Sequence, residues 1–164
     1  MSCITTLPAL REIYAPVNPR SALKELPQLD VHAKRLISLS PFVVIASYGA
    51  DGRADTSPRG GDAGFVKIMD ANTLLIADSP GNNRLDSLEN IIATGQVGLL
   101  FMVPGMDETL RVNGTAVLST MEAERKLCED SRRVPPLVIR VTVQACYLHC
   151  AKALMRSEIG RAHV

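Results

Sequence analysis

Two long stretches of this chain alternate between apolar and polar residues, and this pattern constrains the fold more than any other feature. The first runs from Glu108 to Leu118, and the second from Leu137 to Tyr147. A period of two residues indicates β-strands with one face in a core. Because few helices separate the strand-like segments, we predict an α+β class, mainly β with α, in which an antiparallel sheet closes into a barrel with flanking helices.

The rest of the chain fits one domain around that sheet. At 164 residues and 46% hydrophobic composition, the chain is long enough for one sizeable core. Prolines before residue 41 allow only short helices there, so we expect a helical N-terminal preface over residues 1–40. The sheet domain is expected over 41–157, followed by a short tail over 158–164. Asp51-Gly52, between two extended runs, predicts a hairpin turn.

Charge and composition exclude several classes of function. The formal net charge is +1, and no basic run or aromatic ladder is present, so we expect no nucleic-acid or membrane partner. The longest apolar runs are too short to span a bilayer, and the N-terminus does not resemble a signal peptide, which favours a cytoplasmic location. The four cysteines match no zinc or disulfide spacing. We therefore predict no metal site and buried or incidental thiols.

A polar corner, Ala77 to Leu88, connects a predicted strand to a predicted helix. If the helix starts near Asn82 or Asn83, one of these side chains caps its first turn. Arg84 would then lie in that first turn, where the helix dipole disfavours a cation. A bound phosphate between the arginine and the helix start would explain this placement. A solvated Arg84 is an equal alternative on the pattern alone.

A second polar corner, Ser57 to Asp62, follows another strand. Pro58 cannot donate to a sheet ladder, and Gly60-Gly61 allows a backbone to approach a ligand closely. The corner is typical either of a ligand site or of an edge strand that ends in a wide turn. Two corners with glycine and arginine together favour a site.

The order and spacing of four segments resemble one known family. They are SPRGGDAGFV, LLIADSPGNNRLDSLENI, VGLLFMVPGMDETLRVNGTAVL and HCAKALMRS, and the resemblance runs from about Leu29 to Ser157. They are similar to the pyridoxamine 5'-phosphate oxidase-like superfamily, and more narrowly to its pyridoxamine 5'-phosphate oxidase-related, probable FMN-dependent branch. The resemblance implies a six-stranded antiparallel split β-barrel of the FMN-binding type over 41–157. It also implies a homodimer with FMN at the subunit interface.

The resemblance assigns site residues position by position. At the second family segment, the positions that match the flavin phosphate site are Ala77, Asp78, Asn82, Asn83 and Arg84. Relatives usually carry two cations there and this chain has one, so Arg59 and Lys152 are candidates for the second. Backbone groups of Ser57, Arg59 and Gly60 match the strand along the flavin ring. Arg111 is expected to reach the flavin or the neighbouring subunit, unless it lies on a solvated strand face.

The cofactor implied is FMN, and the function implied is an FMN-dependent oxidoreductase that acts on an unknown small molecule. The flavin carries the redox chemistry, and no catalytic side chain is evident. Likeness of fold does not transfer the substrate, and the C-terminus does not match the substrate-binding Arg-x-His segment of true pyridoxamine 5'-phosphate oxidases. The alternatives are a non-catalytic flavin-binding or redox-sensing protein, or a split barrel that uses deazaflavin or haem.

Overall fold

The computed structural model describes residues 3–79, 81, 83–131 and 133–159. Its helices are α1 (Leu7–Ile13), α2 (Pro19–Ala22), α3 (Val31–Leu39), α4 (Asp86–Thr94), α5 (Glu122–Leu127) and α6 (Lys152–Ser157). None of the helices in these described ranges is long and apolar enough to cross a membrane. Most of the predicted C-terminal tail, residues 160–164, lies outside the described residues.

One antiparallel sheet dominates the molecule. Its strands are β1 (Phe42–Tyr48), β2 (Ala54–Gly60), β3 (Lys67–Ile68), β4 (Thr73–Ala77), β5 (Gln96–Met102), β6 (Thr109–Ser119) and β7 (Val138–His149). They pair in the order β2-β1-β5-β6-β7-β4-β3. The α+β class of the split-barrel type is therefore confirmed.

The core lies on the inner face of this sheet, under α3 and α4. Val43, Leu99 and Val112 on the central strands are buried, and α3 and α4 bury Ile37 and Ile91 in the same apolar cluster. The alternation that predicted these strands arises because every second residue faces this cluster. The helix α3 therefore shares its core with the sheet.

A β-bulge interrupts the alternation in the longest strand pair. Gly114 pairs with Val143 whereas Asn113 pairs with Ala145, so Gln144 is an extra residue on β7. A bulge of this kind shifts the phase of the side chains beyond it. The sequence pattern predicts Ala145 and Tyr147 on the core face, but the structure buries Cys146 instead and leaves Tyr147 on the outer face.

The predicted barrel differs from the structure in strand number and in closure. The described residues contain seven strands rather than six, and β2 and β3 are the two edges of an open sheet. One reason for the open edge is Pro58: its position on β2 is directed away from β1, and proline has no N–H to offer a further strand. The gap beside β2 is the cleft described next.

Candidate functional site

The two polar corners of the sequence form the walls of one cleft. Its volume is about 730 Å³. One wall is β2 from Asp55 to Gly60, and the other is the connection between β4 and α4, from Asp78 to Leu88. Arg133 and Pro136 of the segment before β7 complete the lining. Residues far apart in the sequence therefore meet at the open edge of the sheet.

The inner face of β2 continues the core face of the sheet with polar residues. Arg59, Ser57 and Asp55 pair with Val43, Ile45 and Ser47 of β1, respectively. Directly opposed residues in an antiparallel pair point to the same face. The apolar core face thus ends in a row of three polar side chains. If a further apolar strand paired beside β2, it would bury these side chains without hydrogen-bond partners.

Some backbone groups of β2 point toward β1, and others point toward the cleft. The bonds Gly61 N–H to Pro41 O (3.0 Å) and Gly49 N–H to Arg53 O (3.0 Å) set the hydrogen-bonded pairs of the hairpin. By the alternation of an antiparallel ladder, Ser57 and Arg59 direct their backbone groups to β1, and Gly60 directs its own to the open edge. Ser57 and Arg59 therefore present side chains to the cleft, whereas Gly60 presents backbone.

Two arginines of the cleft are held by uncharged groups. The Arg59 guanidinium donates to Ser57 Oγ and to the Pro58 carbonyl (2.9 Å). The Arg133 guanidinium donates to the Asp78 carbonyl at 3.1 Å. Both arginines are half-buried, and neither forms an ion pair with any residue in the described part of the chain. Both arginines therefore contribute positive charge to the lining of the cleft.

The connection between β4 and α4 differs from its predicted form. The helix begins at Asp86, not near Asn82 or Asn83, so the predicted asparagine cap is wrong. Leu85 occupies the N-cap position without a side-chain cap, and both Leu85 and Asn83 have a φ of 59°. The left-handed region is accessible to asparagine and unfavourable for leucine. These two residues turn the chain and delay the start of the helix.

Arg84 lies two residues before the helix and is paired with an acid. Its Nε donates to Asp86 Oδ2 at 2.8 Å, and its side chain is 72% exposed. This hydrogen bond is the main reason that the pKa of Arg84 is raised, and the charge of Asp55 contributes in the same direction. Asp86 and Glu89 already place negative charge in the first turn of α4, where it interacts favourably with the helix dipole.

A hydrogen bond joins the two walls at the α4 end of the cleft. Ser87 Oγ donates to Asp55 Oδ2 at 2.8 Å, and Ser87 is buried. Beside it, Asn90 of α4 donates to Ser47 Oγ of β1 at 3.1 Å. These contacts join α4 to the first two strands at this end of the cleft.

Of the predicted site residues, the structure brings Ser57, Arg59, Gly60, Asp78, Asn83 and Arg84 together in the cleft. Ala77 is half-buried at the end of β4, where it packs against Leu75, Cys128 and Val138. Asn82 lies outside the described residues. The other two, Arg111 and Lys152, do not line this cleft.

Arg111 lies on the outer face of the sheet and Lys152 begins α6. The Arg111 guanidinium pairs with Glu25 at 3.0 Å and lies 5.3 Å from the centre of the Tyr147 ring. Lys152 is exposed. Both remain predicted cofactor contacts, and within one chain both are separate from the cleft.

The cysteine and histidine residues near the C-terminus are apart from the cleft as well. Cys146 is buried, its thiol donates to the Gln28 carbonyl at 3.1 Å, and burial raises its pKa. His149 packs edge-on against Tyr147. Across the described residues, no three His, Cys, Asp or Glu side chains are grouped as metal ligands.

Sequence reasoning missed three charged residues of the cleft, Asp55, Asp86 and Arg133. Asp55 alternates with Ser57 and Arg59, so the period of two could have placed it on the same face. Arg133 precedes Val134-Pro135-Pro136 in a segment that carries no motif, and only the tertiary fold brings it to Asp78. No signal in the sequence indicates its role.

Comparison with known proteins agrees with this fold. Among solved structures, HupZ from Group A Streptococcus has a TM-score of 0.61 at 20% identity, covering 73% of this chain and 93% of that protein. A putative pyridoxamine 5'-phosphate oxidase from Lactobacillus delbrueckii has a TM-score of 0.58 at 21% identity, covering 76% and 98%. A FAD-binding protein from Mesorhizobium loti has a TM-score of 0.51 at 14% identity, covering 75% and 97%.

The comparison of sequences gives the family directly. No curated protein sequence matches the chain. The family model described as pyridoxamine 5'-phosphate oxidase matches residues 29–150, a range that includes α3, all seven strands and both walls of the cleft. On the strength of that match, this chain belongs to the pyridoxamine 5'-phosphate oxidase family.

Proposed function

We propose that the chain binds FMN in the cleft and acts as an FMN-dependent oxidoreductase on a small molecule. The observation that carries this proposal is the meeting of both polar corners in one cavity of about 730 Å³. That volume is within the range of roughly 300–1,000 Å³ typical of small-molecule and cofactor sites. The name of the Mesorhizobium loti structure, a FAD-binding protein, supports a flavin as the ligand class.

The chemistry of the lining suits a flavin phosphate ester. Arg59, Arg84 and Arg133 line the cavity, and guanidinium groups bind phosphate through paired, charge-assisted hydrogen bonds. Gly60 presents backbone groups at the open edge of β2, and such groups can pair with the polar edge of a flavin ring. The donor set therefore fits the cofactor at both its charged and its aromatic end.

The protein's part in the reaction is to hold and orient the cofactor. A bound flavin supplies hydride or electron transfer. The wall contact between Ser87 and Asp55 (2.8 Å) joins β2 to α4 and so helps to position the two walls that would hold the cofactor. The lining holds no His or Cys among its described residues, so orientation rather than acid–base exchange is the contribution we assign to this wall.

We further propose that the chain is a homodimer that covers the outer face of the sheet. Phe42 and Tyr48 of β1 are 36% and 45% exposed on that face, and Leu100 and Met102 of β5 lie half-buried beside them. A contiguous apolar patch of this kind marks an interaction surface. Light scattering should then give twice the 17.7 kDa mass of one chain, and a monomer that retains its cofactor would contradict a site shared between subunits.

The deciding experiment is the visible absorption spectrum of the purified protein, with mass spectrometry of any molecule that heating releases. Oxidised-flavin bands and the mass of FMN, followed by reduction with a nicotinamide donor, support the oxidoreductase. Bound FMN that no donor reduces would favour a flavin-binding protein without turnover. A colourless protein that does not take up added FMN would refute flavin binding in the cleft.

A further inference from the structure

The N-terminal helix α1 has an apolar face that is exposed to solvent. Leu7, Leu10 and Ile13 follow one another at intervals of three residues, so they share one side of the helix, and Glu12 lies on the opposite side. The exposed fractions of these three apolar residues are 75%, 38% and 61%. None of the seven residues of α1, all of which the structure describes, is buried. A helix with one apolar face normally packs that face against a core, and α1 does not do so within its own chain.

A helix as short as α1 depends on packing for its stability. It has seven residues, whereas isolated helices shorter than about 12–15 residues are marginal in water. Its N-cap contributes little, because the hydrogen bond from the Ala9 N–H to Thr6 Oγ1 is long, at 3.4 Å. The apolar face of α1 therefore needs a surface on which to pack.

The segment that carries α1 joins the sheet at the border of the apolar patch on the outer face. Leu26 and Cys146 of β7 exchange two backbone hydrogen bonds, of 2.9 and 2.8 Å. The preceding residue, Glu25, reaches over the outer face to Arg111 at 3.0 Å. Arg111 pairs with Leu100 of β5, which belongs to the patch. Two exposed apolar surfaces, the patch and α1, are thus connected by one short segment.

The area of these surfaces is close to what a stable dimer requires. If a leucine or isoleucine offers about 100 Å² and a tyrosine about 200 Å², the exposed fractions of Ile4, Leu7, Leu10, Ile13 and Tyr14 amount to about 350 Å² per chain. A two-fold dimer buries this surface twice, together with the surface that it covers, which gives about 1,400 Å². Stable protein–protein interfaces bury about 1,200–2,000 Å² in total.

We infer that α1 of each chain packs on the outer apolar patch of a second copy, so that the two chains exchange their N-terminal helices. The inference rests on the proposed homodimer and assigns the segment that covers its exposed face. The contact is the same in both directions, as two-fold symmetry requires. It explains why a short helix with no buried residue forms at the N-terminal end of the described chain.

The first test measures the dissociation constant of the dimer by analytical ultracentrifugation. Leu7→Ser and Ile13→Ser should each raise it about 100-fold or more, because each removes an apolar contact twice in every dimer. The matched control is Ile92→Ser on α4, since Ile92 is 76% exposed and Leu7 is 75% exposed. This control and Glu12→Ser should stay within about threefold of wild type. Dissociation constants in Leu7→Ser and Ile13→Ser that equal that of Ile92→Ser would overturn the inference and leave the homodimer intact.

Hydrogen exchange of the α1 amides then shows where the helix packs. We expect their protection in wild type to rise with protein concentration as dimers form, and to be lost in Leu7→Ser. Protection that is independent of concentration would mean that α1 packs on its own chain, and would overturn the inference. A lower Tm for monomeric Leu7→Ser than for monomeric wild type would overturn it for the same reason. A wild type that is monomeric at every concentration would refute the homodimer and the exchange together. Neither measurement requires flavin, so failure of flavin binding is a separate outcome.

Discussion

Gly114 lies at the bulge between β6 and β7, and we expect the addition of a single methyl group there to cost more folding stability than at other positions. A Cβ at this position would lie 2.0 Å from the Thr142 carbonyl oxygen, where ordinary contacts are 3.4 Å or more. The obstacle is backbone, so the two strands must separate by more than about 1 Å, and overpacking of this kind costs roughly 1–3 kcal/mol. Hydrogen bonds of the ladder around the bulge would lengthen, at about 1 kcal/mol each.

We therefore expect Gly114→Ala to lower the free energy of unfolding by about 3 kcal/mol. For a chain of this length that corresponds to a fall in Tm of about 6–12 °C. The matched control is Gly98→Ala on the adjacent strand β5, where the new methyl would meet Asn113 Oδ1 at 3.6 Å and Ala46 Cβ at 3.8 Å, both ordinary contacts. Denaturant unfolding and thermal melts of both variants, at the same oligomeric state, test this. Equal stability of Gly114→Ala and wild type would refute the close approach of the strands at the bulge.

The other predictions concern acid stability and thiol reactivity. The hydrogen bond from Arg140 holds the pKa of Glu124 below its ordinary value of 4.5. The ionised Glu124 therefore stabilises the folded state fully above pH 4.5, and this stabilisation is lost as the pH falls through the lowered pKa. The unfolding free energy of Glu124→Gln should accordingly change less with pH below 4.5 than that of wild type, and parallel pH profiles would contradict the pairing. Cys3 and Cys150 are exposed whereas Cys128 and Cys146 are buried, and burial raises the pKa of both buried thiols. Brief alkylation of the native protein should therefore label Cys3 and Cys150. Mass spectrometry that finds Cys146 labelled equally fast would contradict its burial.

Local sequence signals predicted the strands well and the details of their faces less well. The Asp51-Gly52 turn joins β1 to β2, with Gly52 at a φ of 78°, because this turn depends only on neighbouring residues. The alternation in β7 predicts the core residues up to Val143, but the bulge at Gln144 reverses the pattern beyond it. Apolar residues occupy both phases there, including Ala145, Cys146 and Tyr147, so no periodicity could locate the extra residue.

A local sequence pattern likewise could not predict whether the sheet closes into a barrel. Strand segments and their antiparallel pairing follow from alternation, whereas closure depends on whether the first and last strands of the order meet. Here Asp55, Ser57 and Arg59 make the free strand polar on its inner face, and Pro58 removes a donor from its free edge. Both features are present in the sequence, but they indicate an open edge only once β2 is known to be an edge strand.

The assignment of the charged site shows the same division between local and tertiary information. The polarity of ADSPGNNRLDSL reflects a turn in which Asn83 and Leu85 have positive φ, followed by an acidic helix start. The ion pair of Arg84 with Asp86 depends on a spacing of two residues that is visible in the sequence. The position of the Arg133 guanidinium depends on a hydrogen bond to the Asp78 carbonyl, 55 positions earlier, which no local pattern encodes. A motif therefore records the residue types at a site, whereas the partners of each charged group depend on contacts that form only when the chain folds.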